Sequence, residues 1–294
     1  MPHSNHDPRE LGPKPPFPKQ QQAVPGSDKL LDPPADHGET SYTGRGRLDG
    51  RIAIVTGADS GIGRAVAIAF AKEGANIVMS YLPEEEADAA EAAAVIEQAG
   101  KVAIRRPGDI RDPSYAKQLV ETATQEFDKL DVVVNVAGVQ MSHDSIDEVS
   151  PEELDRTFRT NVFGTFFLTQ AALPHLKPGA VILNTTSIQA YEPSEKLVAY
   201  AASKAADLSL TKSFAKLAAK QGVRVNGVAP GPVWTPLIPS TMPPEKVSSF
   251  GENTAFGRPA QPIELAKVFV FLASDDASYV TGEIYEATGG RTPY

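Results

Sequence analysis

From Leu48 to the end of the chain, short apolar runs alternate with stretches whose apolar residues recur at helical spacing. This alternation restricts the fold more than any other feature. Ile52–Thr56 is an apolar run that ends in glycines. Residues 62–73 follow with Ile62, Val66, Ala69 and Phe70 on one helical face, and Gly74 is placed to close that helix. Residues 76–80 and 101–105 repeat the strand pattern, and residues 84–99 and Pro113–Phe127 repeat the helical one. Residues 131–136 (DVVVNV) read as a buried strand. Ser150-Pro151-Glu152-Glu153 has the form of a capping box with proline at the first helical position, opening a helix that carries Leu154, Phe158, Asn161 and Val162. Residues 180–186, 199–221, 224–228, 263–273 and 283–287 complete the series. Strands that are apolar throughout need cover on both faces. The pattern therefore predicts an α/β fold, a doubly wound parallel sheet of about seven strands with helices on both sides. No proline-rich linker divides residues 48–294, which read as one domain.

Residues 1–47 differ in kind. Pro2, Pro8, Pro13, Pro15, Pro16, Pro18, Pro25, Pro33 and Pro34 are nine of the 25 prolines of the chain. Proline removes backbone donors and favours extended polyproline conformations, which excludes a long helix or a central strand here. Two readings remain: a disordered tail, or an extended arm docked on the body or on a neighbouring subunit through Phe17, Leu30, Leu31 and Tyr42.

Composition removes several classes of function. With 28 basic and 37 acidic residues the net charge is −9, and no long Lys/Arg run offers a surface for nucleic acid or an anionic membrane. The chain has no cysteine, which excludes disulfides, thiolate catalysis and Cys-ligated metals and points to the cytoplasm. His3, His6 and His37 lie in the arm. His143 and His175 show no metal-ligand spacing, so no metal site is expected. No apolar run reaches the ~20 residues of a membrane span, and the polar, proline-rich start lacks the apolar segment of a secretion signal, so none is expected.

The glycines after the first strand, Thr56-Gly57-Ala58-Asp59-Ser60-Gly61-Ile62-Gly63, sit where a strand turns into a helix. There the backbone turns tightly and approaches a ligand, and the helix start offers free N–H groups to a pyrophosphate. This context predicts dinucleotide binding on a Rossmann-type sheet. Tyr200-Ala201-Ala202-Ser203-Lys204 places a phenol and an ammonium on one helical face at i and i+4. Interconverting an alcohol and a carbonyl needs a proton carrier. A phenol with an ordinary pKa of ~10 becomes one when a nearby cation stabilises its phenolate. Ser187 ends the preceding strand with a hydroxyl suited to a substrate oxygen. Asn161 is a poor helix-interior residue, which suggests a positioned polar role. Tyr191 is a rival phenol, but Glu195 stands where its cation would be.

The spacing Gly-x-x-x-Gly-x-Gly after Thr56, together with Asn161, Ser187, Tyr200 and Lys204 in this order, resembles the short-chain dehydrogenase/reductase family over residues 48–290. The resemblance implies an NAD(P)-dependent oxidoreductase acting on an alcohol or a carbonyl, with Tyr200 as general acid and base. In it Lys204 tunes the phenol and grips the nicotinamide ribose, and Asn161 holds a proton-relay water. It also implies a cofactor site that begins with Gly57, Asp59, Ser60, Gly61, Ile62 and Gly63 and includes Ser80, Tyr81 and Leu82. Asp109 would accept from the adenine amino group, assisted by Ile110, although a helix-capping Asp109 is the competing reading. Asn135, Ala137 and Gly138 resemble the family's Asn-Asn-Ala-Gly with Val136 at the second place. Pro230, Gly231, Val233 and Thr235 would meet the nicotinamide end. NAD and NADP are both left open, because Ser80-Tyr81-Leu82 carries neither acid nor base, while Asp59 and residues 84–86 mildly oppose a phosphate. Residues 236–259 are expected to form a lid. The substrate is expected to be a small carbonyl or alcohol compound in a pocket of Gln140, Tyr191, Trp234 and Leu237. By the same likeness the helices of Asn161 and Tyr200 build a homotetramer through Phe166, Phe167, Ala205, Leu208 and Phe214. The proline arm resembles a bacterial branch of general-stress or aldehyde-reducing oxidoreductases. A non-enzymatic cofactor sensor is the alternative. A nucleotide-sugar epimerase is disfavoured by its different glycine spacing.

Overall fold

Each apolar run of the body becomes a strand of one parallel sheet. In the computed structural model, which describes residues 6–291, the strands are β1 (Ile52–Thr56), β2 (Asn76–Tyr81), β3 (Ala103–Pro107), β4 (Val132–Asn135), β5 (Val181–Thr185), β6 (Arg224–Pro230) and β7 (Ile284–Ala287). Pro2 and His3 lie outside the described residues. The strand order is β3-β2-β1-β4-β5-β6-β7, so chain direction across the sheet reverses between β1 and β4, where Ile54 pairs with Val133. A crevice at the carboxyl ends of these two strands is where an open parallel sheet receives ligands.

The helices are α1 (Gly61–Lys72), α2 (Glu86–Gln98), α3 (Pro113–Phe127), α4 (Pro151–Phe158), α5 (Gly164–Ala172), α6 (Val198–Ala218), α7 (Leu237–Thr241), α8 (Pro244–Ser248) and α9 (Pro262–Ala273). Side chains alternate across the sheet with period two. Along β1, Ala53 and Val55 pack on the side of α1, α2 and α9, and Ile52 and Ile54 on the side of α3, α5 and α6.

Three local departures from the sequence reading have physical causes. The third strand starts at Ala103, because the Gly100 and Lys101 N–H groups still close α2, donating to Glu97 O and Ile96 O. The capping box at Ser150 is half formed: Ser150 Oγ accepts from Glu153 N at 3.1 Å, but the Glu153 carboxylate turns to His143 Nε2 at 2.7 Å. The helix through Asn161 is not continuous, since a π-helical turn, Arg159–Phe163, separates α4 from α5.

The described part of the arm, from His6 to Arg47, lies along the body. Phe17, Leu31 and Tyr42 are buried, whereas Leu30 is 66% exposed and anchors nothing. Phe17 and Leu31 form a small core with Trp234, Ile238 and Val247. Phe17 N donates to Ser248 O at 2.8 Å, Gln22 N to Pro239 O at 2.9 Å and Trp234 Nε1 to Pro33 O at 2.7 Å. Farther along, His37 Nε2 lies 3.1 Å from Asp28 Oδ2, angled away from a good hydrogen bond, and His37 Nδ1 lies 3.5 Å from Glu39 Oε1. Burial disfavours the imidazolium, but attraction to Asp28 and Glu39 outweighs it and raises its pKa to about 9. A raised folded-state value stabilises the docked arm fully below the ordinary 6.5 and is lost as pH climbs through about 9. We therefore expect the emission of Trp234, the sole tryptophan, to report loosening of the arm across that window. His37→Gln should remove the pH dependence.

Candidate active site

The turn after β1 is shaped by two glycines. Gly57 adopts φ +63°, a left-handed conformation, and a Cβ on Gly63 would lie 1.8 Å from Gly57 O. Only hydrogen fits at Gly63, so the first turn of α1 presses directly against the strand end. Gly63→Ala must force the two apart, and we expect it to abolish measurable binding of NADH and NADPH by fluorescence titration. Retained affinity would show that the turn is not the cofactor's seat.

Around this turn a groove of about 240 Å³ gathers Gly57, Asp59, Ser60, Gly61, Ile62, Gly63, Ser80, Tyr81, Leu82, Asp109, Ile110, Ala137 and Gly138. One buried acceptor on its wall has no partner among the described residues: Asp59 Oδ2. Burial raises the Asp59 carboxyl to about 6. Burial and the charge of Asp59 raise Glu85, also on the groove wall, to about 8. Asp109 lines the groove while its carboxylate is held by Arg111 Nε at 2.8 and 2.9 Å. The cap of α3 is instead Asp112, which accepts from Ser114 N at 2.8 Å, so the capping reading of Asp109 does not hold. A glycine-walled groove with a free buried acceptor, continuous through Gly138 and Thr235 with a larger cleft, fits an extended dinucleotide.

Asn135 stands elsewhere. Its Nδ2 donates to Asn184 Oδ1 at 2.9 Å within the sheet, and Val136, not Asn135, reaches the groove wall. Sequence reasoning missed the arm's share: Val24, Pro25 and Gly26 line the groove. The Asp28 carboxylate accepts from Gly61 N at 2.9 Å, supplying the cap that the Ser60 side chain does not. No local pattern marks such a contact across 33 positions of sequence.

The larger cleft, about 730 Å³, is lined by Ser187, Tyr200 and Lys204 on one side and by Pro230, Gly231, Val233 and Thr235 on another. Ser187 ends the segment after β5, and its Oγ accepts from Gln189 N at 3.1 Å, which leaves its own proton free for a ligand. Tyr200 and Lys204 lie one turn apart on α6, with Nζ 5.8 Å from the Tyr200 ring centroid. Lys204 is buried, and Nζ donates to Thr185 O at 2.8 Å and Asp207 Oδ2 at 3.0 Å. Burial would lower its pKa, but Asp207 and Tyr200 raise it above the ordinary lysine value.

Asn161, at the centre of the π turn, is fully buried. Its Oδ1 accepts from Val139 N at 2.8 Å, and its Nδ2 donates to Val139 O and Ser203 Oγ, each at 2.9 Å. Both amide protons are committed, leaving one lone pair of Oδ1 for a further partner. A π turn inserts one residue into a helix and is common at functional sites. Here it brings the amide to the loop after β4 and to α6 at once.

Two of the four pocket residues expected from sequence line the cleft. Gln140, which donates to Thr241 Oγ1 at 3.0 Å, and Leu237 do so. Trp234 does not: it is fully buried in the small core under the arm, packed on Phe17 with ring centroids 4.3 Å apart. Tyr191 is not on the wall either, where its neighbours Gln189 and Glu192 stand. Among the described residues no cluster of three or more His, Asp or Glu could hold a metal ion, and no helix is long and apolar enough to cross a membrane.

Residues 57–292 match a family described as enoyl-(acyl carrier protein) reductase. The chain is 48% identical over 274 residues to an oxidoreductase of Bacillus subtilis, YhdF, covering 93% of this chain and 94% of that one. It is 40% identical over 278 residues to NADPH-dependent aldehyde reductase 1 of Arabidopsis thaliana, covering 92% and 96%. A crystal structure of a short-chain dehydrogenase from Burkholderia cenocepacia in complex with NADP superposes with a TM-score of 0.78 at 30% identity, covering 83% of this chain and 98% of that one. These kinships with oxidoreductases overturn the alternative of a non-enzymatic cofactor sensor. The chain belongs to the short-chain dehydrogenase/reductase family and is an NAD(P)-dependent oxidoreductase that interconverts an alcohol and a carbonyl.

Proposed function

We propose that Tyr200 is the proton donor and acceptor of this oxidoreductase, that Lys204 holds its phenolate, and that Ser187 receives the substrate oxygen. The observation that supports the reading is the convergence of all three side chains on one cleft that also contains Pro230, Gly231, Val233 and Thr235. The nicotinamide cofactor, when bound, supplies or takes the hydride. The chain's own residues handle the proton. In carbonyl reduction the Tyr200 O–H gives its proton to the substrate oxygen while Ser187 Oγ donates to the same oxygen. In oxidation the phenolate takes that proton back, and the buried Lys204 ammonium makes the phenolate less costly. Asn161 acts on this pair from behind, tying the loop after β4 to Ser203 beside Lys204.

In this reading the groove residues from Gly57 to Gly138 hold the adenosine and pyrophosphate, Tyr200 and Lys204 meet the nicotinamide ribose, and Val233 and Thr235 meet its ring. Residues 236–259, which carry α7 and α8, are the lid. The cleft mixes Gln140, Gln189, Glu192 and Asn253 with Leu237 and Met242, which suits a small polar aldehyde or ketone. The named activity of the aldehyde reductase relative supports the same class. Phe163 at the end of the π turn and Phe166 on α5, each more than a third exposed, and the exposed Ala205 on α6 form an apolar outer face suited to a homotetramer, while Phe167 and Phe214 pack partly against the core. Absence of cysteine and the acidic charge fit the cytoplasm. A panel of aldehydes and ketones offered with NADH and with NADPH, followed at the nicotinamide absorbance, tests the reading. Tyr200-dependent turnover of a polar aldehyde is expected. Tight cofactor binding with no turnover of any carbonyl would overturn it.

A further inference from the structure

Asp207 lies one helical turn beyond Lys204 on α6, and no step above uses it. It is 1% exposed. Its Oδ2 accepts from Lys204 Nζ at 3.0 Å, while Oδ1 has no hydrogen-bond partner among the described residues. A carboxylate in this state costs stability. On packing grounds an apolar side chain would serve a buried helix position as well, since replacing a buried ion pair by hydrophobic residues is often neutral or favourable. The position needs a charge because of what Lys204 must be.

Lys204 is 4% exposed, and its ammonium has two protein acceptors, Thr185 O and Asp207 Oδ2. A carbonyl dipole alone does not offset the desolvation of an ammonium, and buried lysines without a counter-charge release their proton. A neutral amine beside Tyr200 would no longer favour the phenolate. The charged and titratable groups acting on this pair are each other and the Tyr200 phenol. Burial raises the Asp207 carboxyl to about 6, and the Lys204 ammonium at 3.0 Å works against that rise.

We propose that Asp207 is a positioning residue that keeps Lys204 an ammonium throughout the working pH range and fixes Nζ between Thr185 O and the Tyr200 ring. The inference rests on the Tyr200–Lys204 pair as read above. Asp207 touches neither substrate nor cofactor and acts only through Lys204.

Asp207→Asn is the test, because it keeps the shape and an acceptor oxygen and removes the charge. In the full chain, kcat/KM for alcohol oxidation should rise with pH and then hold level. In Asp207→Asn a falling alkaline limb should appear as the buried amine loses its proton, with about a tenfold loss at a pH one unit above its new pKa. Asp207→Glu should restore the level profile. Independently of turnover, NMR of lysine-labelled protein without cofactor should show the Lys204 Nζ charged through pH ~9.5 in the full chain and titrating below its ordinary ~10.4 in Asp207→Asn. Should Asp207→Asn fail to accumulate, Asp207→Ser, which leaves room for water, carries the same two measurements. A profile parallel to that of the full chain, with Lys204 still charged, would overturn the proposal. Undiminished turnover by Tyr200→Phe would instead sink the proton-transfer reading, and the NMR titration would still decide the role of Asp207.

Discussion

Tyr200→Phe is expected to lower kcat by about 10²–10⁴-fold, the range a positioned proton-transfer group contributes, and to leave the dissociation constants of NADH and NADPH within a small factor. The asymmetry follows from the structure. Phenylalanine keeps the ring that faces Lys204 Nζ at 5.8 Å, and the hydrogen bond that ties Tyr200 into α6 is made by its main-chain carbonyl, which accepts from Ser203 Oγ at 2.7 Å. Removing the hydroxyl therefore disturbs neither the helix nor the Lys204 anchorage to Thr185 O and Asp207. What is lost is the hydroxyl that, in the proposed mechanism, passes a proton to the substrate oxygen. Ser187 Oγ is proposed to donate a hydrogen bond to that oxygen, but a serine hydroxyl is a far weaker acid than a phenol and does not replace it as the proton source. Tyr191 cannot substitute, since it is not on the cleft wall. Nicotinamide absorbance gives kcat and fluorescence titration gives binding. A variant that keeps most of its turnover would mean that the proton travels by another route.

The sheet and the shared helical face of Tyr200 and Lys204 were legible in the sequence for the same reason: both depend on short-range periodicity. Period-two burial along β1 and the i, i+4 placement of Tyr200 and Lys204 are set by backbone geometry, whatever the rest of the chain does. Asp207 was within reach of the same reading, as an acid at i+3 from Lys204 inside a helix otherwise rich in alanine. Trp234 was not. An aromatic residue after the Pro230-Gly231-Pro232 segment reads as a pocket wall until the arm is seen to cover it, and that cover comes from Phe17 and Pro33, some two hundred positions earlier. Asp28 capping Gly61 and Asn135 turning into the sheet toward Asn184 are of the same type. Each is decided by a tertiary neighbour that leaves no periodic trace. The π turn at Asn161 is intermediate: asparagine inside a helix marks the place, but the extra residue that re-aims its amide is visible only in the folded chain.

Phe17→Ala should free the first half of the arm and, through it, weaken cofactor binding. Phe17 is 4% exposed and packs on Trp234, and truncating a buried phenylalanine costs about 3–5 kcal/mol. That cost falls on a small cluster, Phe17, Leu31, Trp234, Ile238 and Val247, set apart from the two cores that flank the sheet. The sheet and its helices should therefore keep their melting behaviour while the arm lets go. Loss of the arm exposes Trp234, so its emission should shift to longer wavelength, and a protease should cut first among the arm's residues. The effect should reach the site by two paths. Val24, Pro25 and Gly26 leave the groove wall, and α7 and α8 lose the partners that Phe17 and Gln22 supply at Ser248 and Pro239. Both paths predict a higher dissociation constant for the cofactor and a less ordered lid, with kcat at saturating cofactor falling less than kcat/KM for the cofactor. Equal emission and equal cofactor affinity in Phe17→Ala and the full chain would show that the hydrogen bonds to Ser248, Pro239 and Pro33 hold the arm without its aromatic anchor. A uniform fall in thermal stability with the arm still protected would show that the small cluster is continuous with the main core. A separation of the two effects is what the arm predicts if Val24, Pro25 and Gly26 serve as a wall of the proposed cofactor groove.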